Sequence, residues 1–209
     1  MTIVEKITNH SIIFGEPVFK EFIEISTERL DHVIKLIKSE LNELKAADTM
    51  HEQKDGCGDV LWTIIRAFQE HGVNFKGVKV ALDGKFIPFL TSINKIEVLL
   101  HELRHTAVGE ESVTNVLNEL FTYAVELFKP LNYDIEYIMD KVYHGNMSKL
   151  CKTEEEAKET VKAYAEGTHP NKMGKVIITH YKKAKTGFVV YRTADNKYLK
   201  SINFVEPKF

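Results

Sequence analysis

Residues 27–47 read TERLDHVIKLIKSELNELKAA. Leu30, Ile34, Ile37, Leu41 and Leu44 recur at spacings of three and four, which puts them on one stripe of an α-helix. Thr27 is placed to cap its start. A polar turn over 48–54 follows. Residues 55–72, DGCGDVLWTIIRAFQEHG, then predict a second helix with Val60, Leu61, Ile64, Ile65 and Phe68 on its broad apolar side and Gly72 at its end. Two amphipathic helices joined by a short turn fold back on each other, so the stretch sets a mainly α fold.

Outward from this pair the helical period continues. Residues 92–109, 112–129, 134–150 and 152–167 predict four more helices. The second of these stops before Pro130, and the last has Thr153 as its cap. Between Phe75 and Leu90, turn signals at Asp83–Gly84 and Pro88 predict a short hairpin. After Gly167 the period changes. The runs GKVIITHYKK, TGFVVYRT and KYLKSINF are separated by turn residues and predict a small antiparallel meander. The expected architecture is a helical bundle over 1–167 with a β appendage over 168–209.

The 209 residues are 44% hydrophobic and 28% charged, an ordinary globular composition. Two cysteines, Cys57 and Cys151, speak against a disulfide framework or a multi-cysteine zinc site. The first residues lack the apolar run of a secretory signal, and no stretch reaches the ~18 apolar residues of a membrane helix. A reducing cytosol is the expected location. The net charge of −2 divides unevenly: from Lys172 onward nine basic residues face two acids, leaving the body acidic. The basic residues do not lie along a recognition helix, so no specific nucleic-acid partner is expected.

The chemistry is carried by acids at the edges of apolar stripes. Glu40 and Glu43 share a face of the first long helix, and Asp55 and Asp59 share a face of the next. An antiparallel pairing gathers all four. A carboxylate beside an apolar stripe must be solvated, paired or metal-bound. Oxygen-only ligation suits Mg²⁺, with Mn²⁺ as an alternative, and Mg²⁺ is commonly completed by substrate phosphates. The plainer reading leaves the glutamates solvated and Asp55 as an N-cap. Gly56 and Gly58 cost helix propensity but permit a close approach of backbone or ligand.

A competing motif lies at 101–105, HELRH. His101 and His105 on one helical face, with Glu102 between, match a zinc-peptidase pattern. Glu110, Glu111 or Glu119 would have to complete the ligands. The plainer reading is a chance match on an exposed helix, in a chain with nine histidines.

Taken in order, FGEPV, LIKSELNELKAA, DGCGDVLW, DIEYIMDKVYHGNMSKLCKTEEEA and VVYRTADNKYLKSINF resemble segments of the MazG-like all-α nucleoside triphosphate pyrophosphohydrolases, particularly phage-type members. These belong to the phosphoribosyl-ATP pyrophosphohydrolase-like superfamily. The resemblance covers 12–75 and 131–209, and leaves 76–130 as an insertion relative to the compact family core. It implies Mg²⁺-dependent hydrolysis of a nucleoside triphosphate to the monophosphate and pyrophosphate, in a homodimer or larger assembly. Glu40, Glu43, Asp55 and Asp59 would hold the metal, and Glu40 or Glu43 would act as base. Asn146 and Lys149 in GNMSK, with Trp62, would contact substrate; a helix C-terminus and a core ring are their plainer roles. Where the family often has ExxD, this chain has Gly56. Asn115 and Glu119 in NVLNEL are a possible substitute. A non-catalytic protein that binds nucleotides or a partner through the same bundle is the third reading.

Overall fold

The structure is a computed structural model that describes residues 1–73, 87–105, 107–132 and 134–209. Among these the chain forms seven α-helices: α1 (Ile3–Phe14), α2 (Thr27–Lys45), α3 (Met50–His71), α4 (Phe89–His105), α5 (Gly109–Glu126), α6 (Ile135–Met147) and α7 (Glu154–Glu166). Strands β1 (Thr179–Lys183) and β2 (Phe188–Arg192) pair antiparallel, with Tyr181 opposite Val190. The fold is thus mainly α with a small C-terminal antiparallel sheet. The hairpin expected around Asp83–Gly84 lies outside the described residues. Among the described residues no helix is long and apolar enough to cross a membrane.

Two compact units divide the chain. The first comprises Met1–Thr8, Pro17–Val142 and Phe209; the second comprises Asn9–Glu16 and Tyr143–Lys208.

In the first unit α3 is the central helix. Every residue from Val60 to His71 is buried, as befits a helix covered on all sides. It packs against α2 and α5. Most of the apolar stripe of α2 is buried, with Ile34, Ile37, Leu41 and Leu44 at most 3% exposed and Leu30 half-buried. The two glycines near the start of α3 explain how closely the helices meet. A Cβ on Gly56 would lie 2.9–3.1 Å from Leu44 of α2, and one on Gly58 would lie 2.5 Å from Val142 Cγ2 of α6. Their lost helix propensity is exchanged for helix–helix contact, and they leave no opening for a ligand.

The helix ends correct two sequence expectations. Ser26, not Thr27, caps α2, its Oγ accepting from the Arg29 N–H at 3.2 Å. The second long helix begins at Met50 rather than at residue 55. Thr49 and Glu52 close a reciprocal capping box there, so Asp55 is a mid-helix residue and not a cap. At the other end Gly72 adopts φ +63°, with the carbonyl of Glu21 lying where a side chain would start. The passing segment donates Phe19 N–H to the Gln69 carbonyl and Ile23 N–H to the His71 carbonyl, satisfying acceptors that a helix end leaves open.

Helix α1 was not anticipated from its pattern. Its start carries the same T-x-x-E device: Thr2 N–H donates to Glu5 Oε2 at 2.7 Å, and Glu5 N–H to Thr2 Oγ1 at 3.2 Å.

In the second unit α7 packs on the sheet. Ala157 and Tyr164 meet Val190, Leu199 and Cys151 in one buried cluster. Thr153 caps α7 as expected, and Gly167 ends it at φ +68°. The third β-rich run does not form a strand. It makes one bridge, Tyr198 to Tyr191, and then turns away. Ser201 Oγ donates to the Ser148 carbonyl and Ile202 N–H to Thr160 Oγ1. Those bonds replace the ladder that a third strand would have needed.

Candidate functional site

On α3, Asp55, Asp59, Thr63, Arg66 and Glu70 follow one another at spacings of four, four, three and four, and so line one face. On α2, Arg29, Val33, Leu36, Glu40 and Glu43 do the same. These faces meet. Val33 and Leu36 together with Thr63, Arg66, Ala67 and Glu70 wall a small recess with room for about one water molecule.

The far end of this paired face is ionic and buried. Glu70 is 2% and Arg66 4% exposed. Arg29 Nε donates to Glu70 Oε2 at 2.6 Å, while Arg66 Nη2 lies 3.5 Å from Glu70 Oε1. One carboxylate thus sits between two guanidiniums. Burying it bare would be prohibitive; the two cations make it tolerable. Arg29, Arg66 and Glu70 were not singled out in the sequence. Their i, i+4 continuation of Asp55 and Asp59 was a readable signal, whereas the partner forty-one residues away was not.

The near end holds the expected acids. Glu40, Asp55 and Asp59 are half-buried and Glu43 is exposed. Asp59 also works through its backbone, its carbonyl accepting from Thr63 Oγ1 at 2.9 Å. The acids thus lie in two pairs, one on each of two packed helices. Among the described residues, however, no group of three or more His, Cys, Asp or Glu side chains is arranged to hold a metal ion. The acids share a surface without forming a protein-only cage. Trp62 is 3% exposed, a core ring rather than an open stacking platform. Asn115 and Glu119 are exposed on α5 and do not complete a ligand group.

Asn146 and Lys149 belong to the second unit and are brought together there. Lys149 Nζ donates to Asn146 Oδ1 at 2.6 Å, and its ammonium sits 5.7 Å from the Tyr198 ring centre. Asn146 is buried.

The HELRH segment forms the last turn of α4. His101 and His105 are exposed with ring centres 4.4 Å apart, as i, i+4 placement requires. Arg104 turns away to Asp31, Nη2 to Oδ2 at 2.9 Å. Among the described residues no third ligand joins the two imidazoles.

Both thiols are free and buried, and burial pushes Cys57 up to about 12 and Cys151 up to about 11. Neither is poised as a nucleophile at neutral pH.

No family model matches the chain, and no solved structure matches it. An uncharacterized protein of Acanthamoeba polyphaga mimivirus is 29% identical over 247 aligned positions, which cover 98% of this chain and 95% of that protein.

Proposed function

We propose that the α2–α3 face catalyses Mg²⁺-dependent hydrolysis of a nucleoside triphosphate, a dNTP or modified NTP, to the monophosphate and pyrophosphate. What supports the reading is that Glu40 and Glu43 share one face of α2 and Asp55 and Asp59 one face of α3, on two helices that pack together. The lack of a three-ligand cage among the described residues accords with Mg²⁺, which takes one or two carboxylates and completes its shell with water and phosphate oxygens. A catalytic zinc centre, by contrast, takes three protein ligands.

Glu40 and Asp59 are the residues best placed to hold the ion, being half-buried on facing helices. Held there, Mg²⁺ would supply neutralisation of the triphosphate charge. Glu43, exposed and three residues from Glu40, has solvent access and takes the proton of the attacking water as general base. The buried Arg29–Glu70–Arg66 cluster holds the two helices in register beyond the acids. The recess is water-sized, so the nucleotide lies across the open face, and a homodimer would supply the surface that covers its base. Asn146 and Lys149, expected as phosphate or sugar contacts, bond to each other within the second unit. The metallopeptidase reading of HELRH has no third ligand among the described residues to support it.

The test is pyrophosphate release from a panel of ordinary and modified NTPs and dNTPs with Mg²⁺ or Mn²⁺. At least one substrate should turn over. Asp59→Asn and Glu43→Ala should each lower kcat by about 10²-fold or more while leaving the thermal midpoint near wild type. Absence of turnover across the panel would end the proposal. Turnover that survives both substitutions would move the site elsewhere.

A further inference from the structure

The one motif that this function does not absorb is the histidine pair on α4, and its geometry points to a separate metal site. We propose that His101 and His105 form a surface site for a borderline divalent transition ion, Cu²⁺, Ni²⁺ or Zn²⁺, held by two imidazoles with water in the remaining positions.

The geometry comes first. A metal–nitrogen bond of about 2.1 Å puts a shared ion roughly 3.2 Å from each ring centre. A bite between a right angle and the tetrahedral angle then sets the centres about 4.5–5.2 Å apart. The observed centres are 4.4 Å apart, with the rings inclined by 42°. The ring separation is thus within about 0.1 Å of the lower end of the chelating range.

The surroundings agree. Both rings are exposed, so loading the site needs no rearrangement of the core. The nearest cation on the same turn, Arg104, is drawn to Asp31 and away from the imidazoles. The helix backbone fixes the spacing, so the chelate forms without ordering a loop.

Ligand chemistry sets the ion. Imidazole nitrogen suits copper, nickel and zinc and discriminates against Mg²⁺, which prefers oxygen. The site is thus distinct in kind from the carboxylate face of α2 and α3. With two protein ligands it binds as a docking point for the ion and not as a peptidase centre, which needs three.

The test is isothermal titration of the full chain with NiCl₂ and ZnCl₂, compared across wild type, His101→Ala, His105→Ala and the double variant. Wild type should show one site absent from the double variant, and each single variant should weaken that site at least tenfold. Unchanged thermal midpoints would show that the exposed substitutions leave the fold intact. Identical titrations of wild type and double variant would overturn the proposal, assigning the ions to the other histidines. Loss in only one single variant would also overturn it, because a chelate requires both rings.

Discussion

The paired face of α2 and α3 and the outer face of α4 each carry charged and ligating side chains, under opposite conditions. On the first, ions are shared between helices and partly or wholly out of water: Glu70, 2% exposed, is bound by Arg29 and Arg66. On the second, one helix presents His101 and His105 to solvent, and Arg104 meets Asp31 with both side chains well exposed. A buried ion depends on its partners, whereas an exposed one falls back on water. Substitutions in the buried Arg29–Glu70–Arg66 cluster should therefore cost stability, and those at the exposed His101 and His105 should cost binding with little change in stability.

The sharpest way to break this contrast is Glu70→Ala. It removes the buried carboxylate that Arg66 and Arg29 share. Removing one partner of a buried ion pair typically costs about 3–5 kcal/mol, and that loss should be read from a urea midpoint. A change below ~1 kcal/mol would mean that water reaches Arg66 and that the face is open. Replacing Glu70 by Gln keeps the shape and a hydrogen-bond acceptor, and should recover part of the loss.

A smaller effect concerns pH. His71 ends α3 and is 3% exposed, with its Nδ1 2.9 Å from the Ala67 carbonyl. Burial holds its pKa below the ordinary 6.5, while the Ala67 carbonyl and the Glu70 charge pull it partly back. The unfolded chain therefore takes up the proton first as pH falls. The stabilisation is complete above the ordinary value and is lost as pH drops below it toward the lowered one. His169, fully buried in the second unit and stacked on Tyr164, is lowered by the same cause and adds the same sign. Stability should fall from pH 7.5 to 5.5, by at most ~1.4 kcal/mol per pH unit for each histidine. His71→Gln should flatten the profile, and an unchanged slope would sink the assignment.

Much of the architecture could be read from periodicity, because burial on one side leaves a repeat in the chain. The stripe of Ile34, Ile37, Leu41 and Leu44, the cap at Thr153 and the stop at Gly72 are local devices and were legible. Helix starts were read less well. The Thr49–Glu52 box lies in the stretch expected as a polar turn, and the Thr2–Glu5 box in a stretch for which no element was expected. The third β run has strand composition, but past Leu199 its bonds go to the Ser148 carbonyl, from Ser201 Oγ, and to Thr160 Oγ1, from Ile202 N–H, which no local pattern announces. For the site, spacing within each helix placed Glu40 with Glu43 and Asp55 with Asp59. The Arg29–Glu70–Arg66 cluster needs two helices in register, and Gly58 reads as permissive until Val142 is seen against it. Long-range pairing is the information that single-helix periodicity lacks.

The smallest expected effect lies on the outer face. Arg104 and Asp31 make a geometrically good contact, Nη2 to Oδ2 at 2.9 Å, yet their side chains are 45% and 39% exposed. In that setting the Coulomb gain is screened, and fixing two long side chains costs entropy, so such pairs contribute about 0–1 kcal/mol. Arg104→Ala should thus move the urea midpoint by less than 1 kcal/mol equivalent, several times less than Glu70→Ala. It should also strengthen metal capture by His101 and His105 slightly, because a guanidinium on the adjoining position no longer repels the arriving cation. A loss above ~2 kcal/mol would show that Arg104 ties α4 to α2 as firmly as Arg29 ties α2 to α3, and the distinction between the two faces would fall.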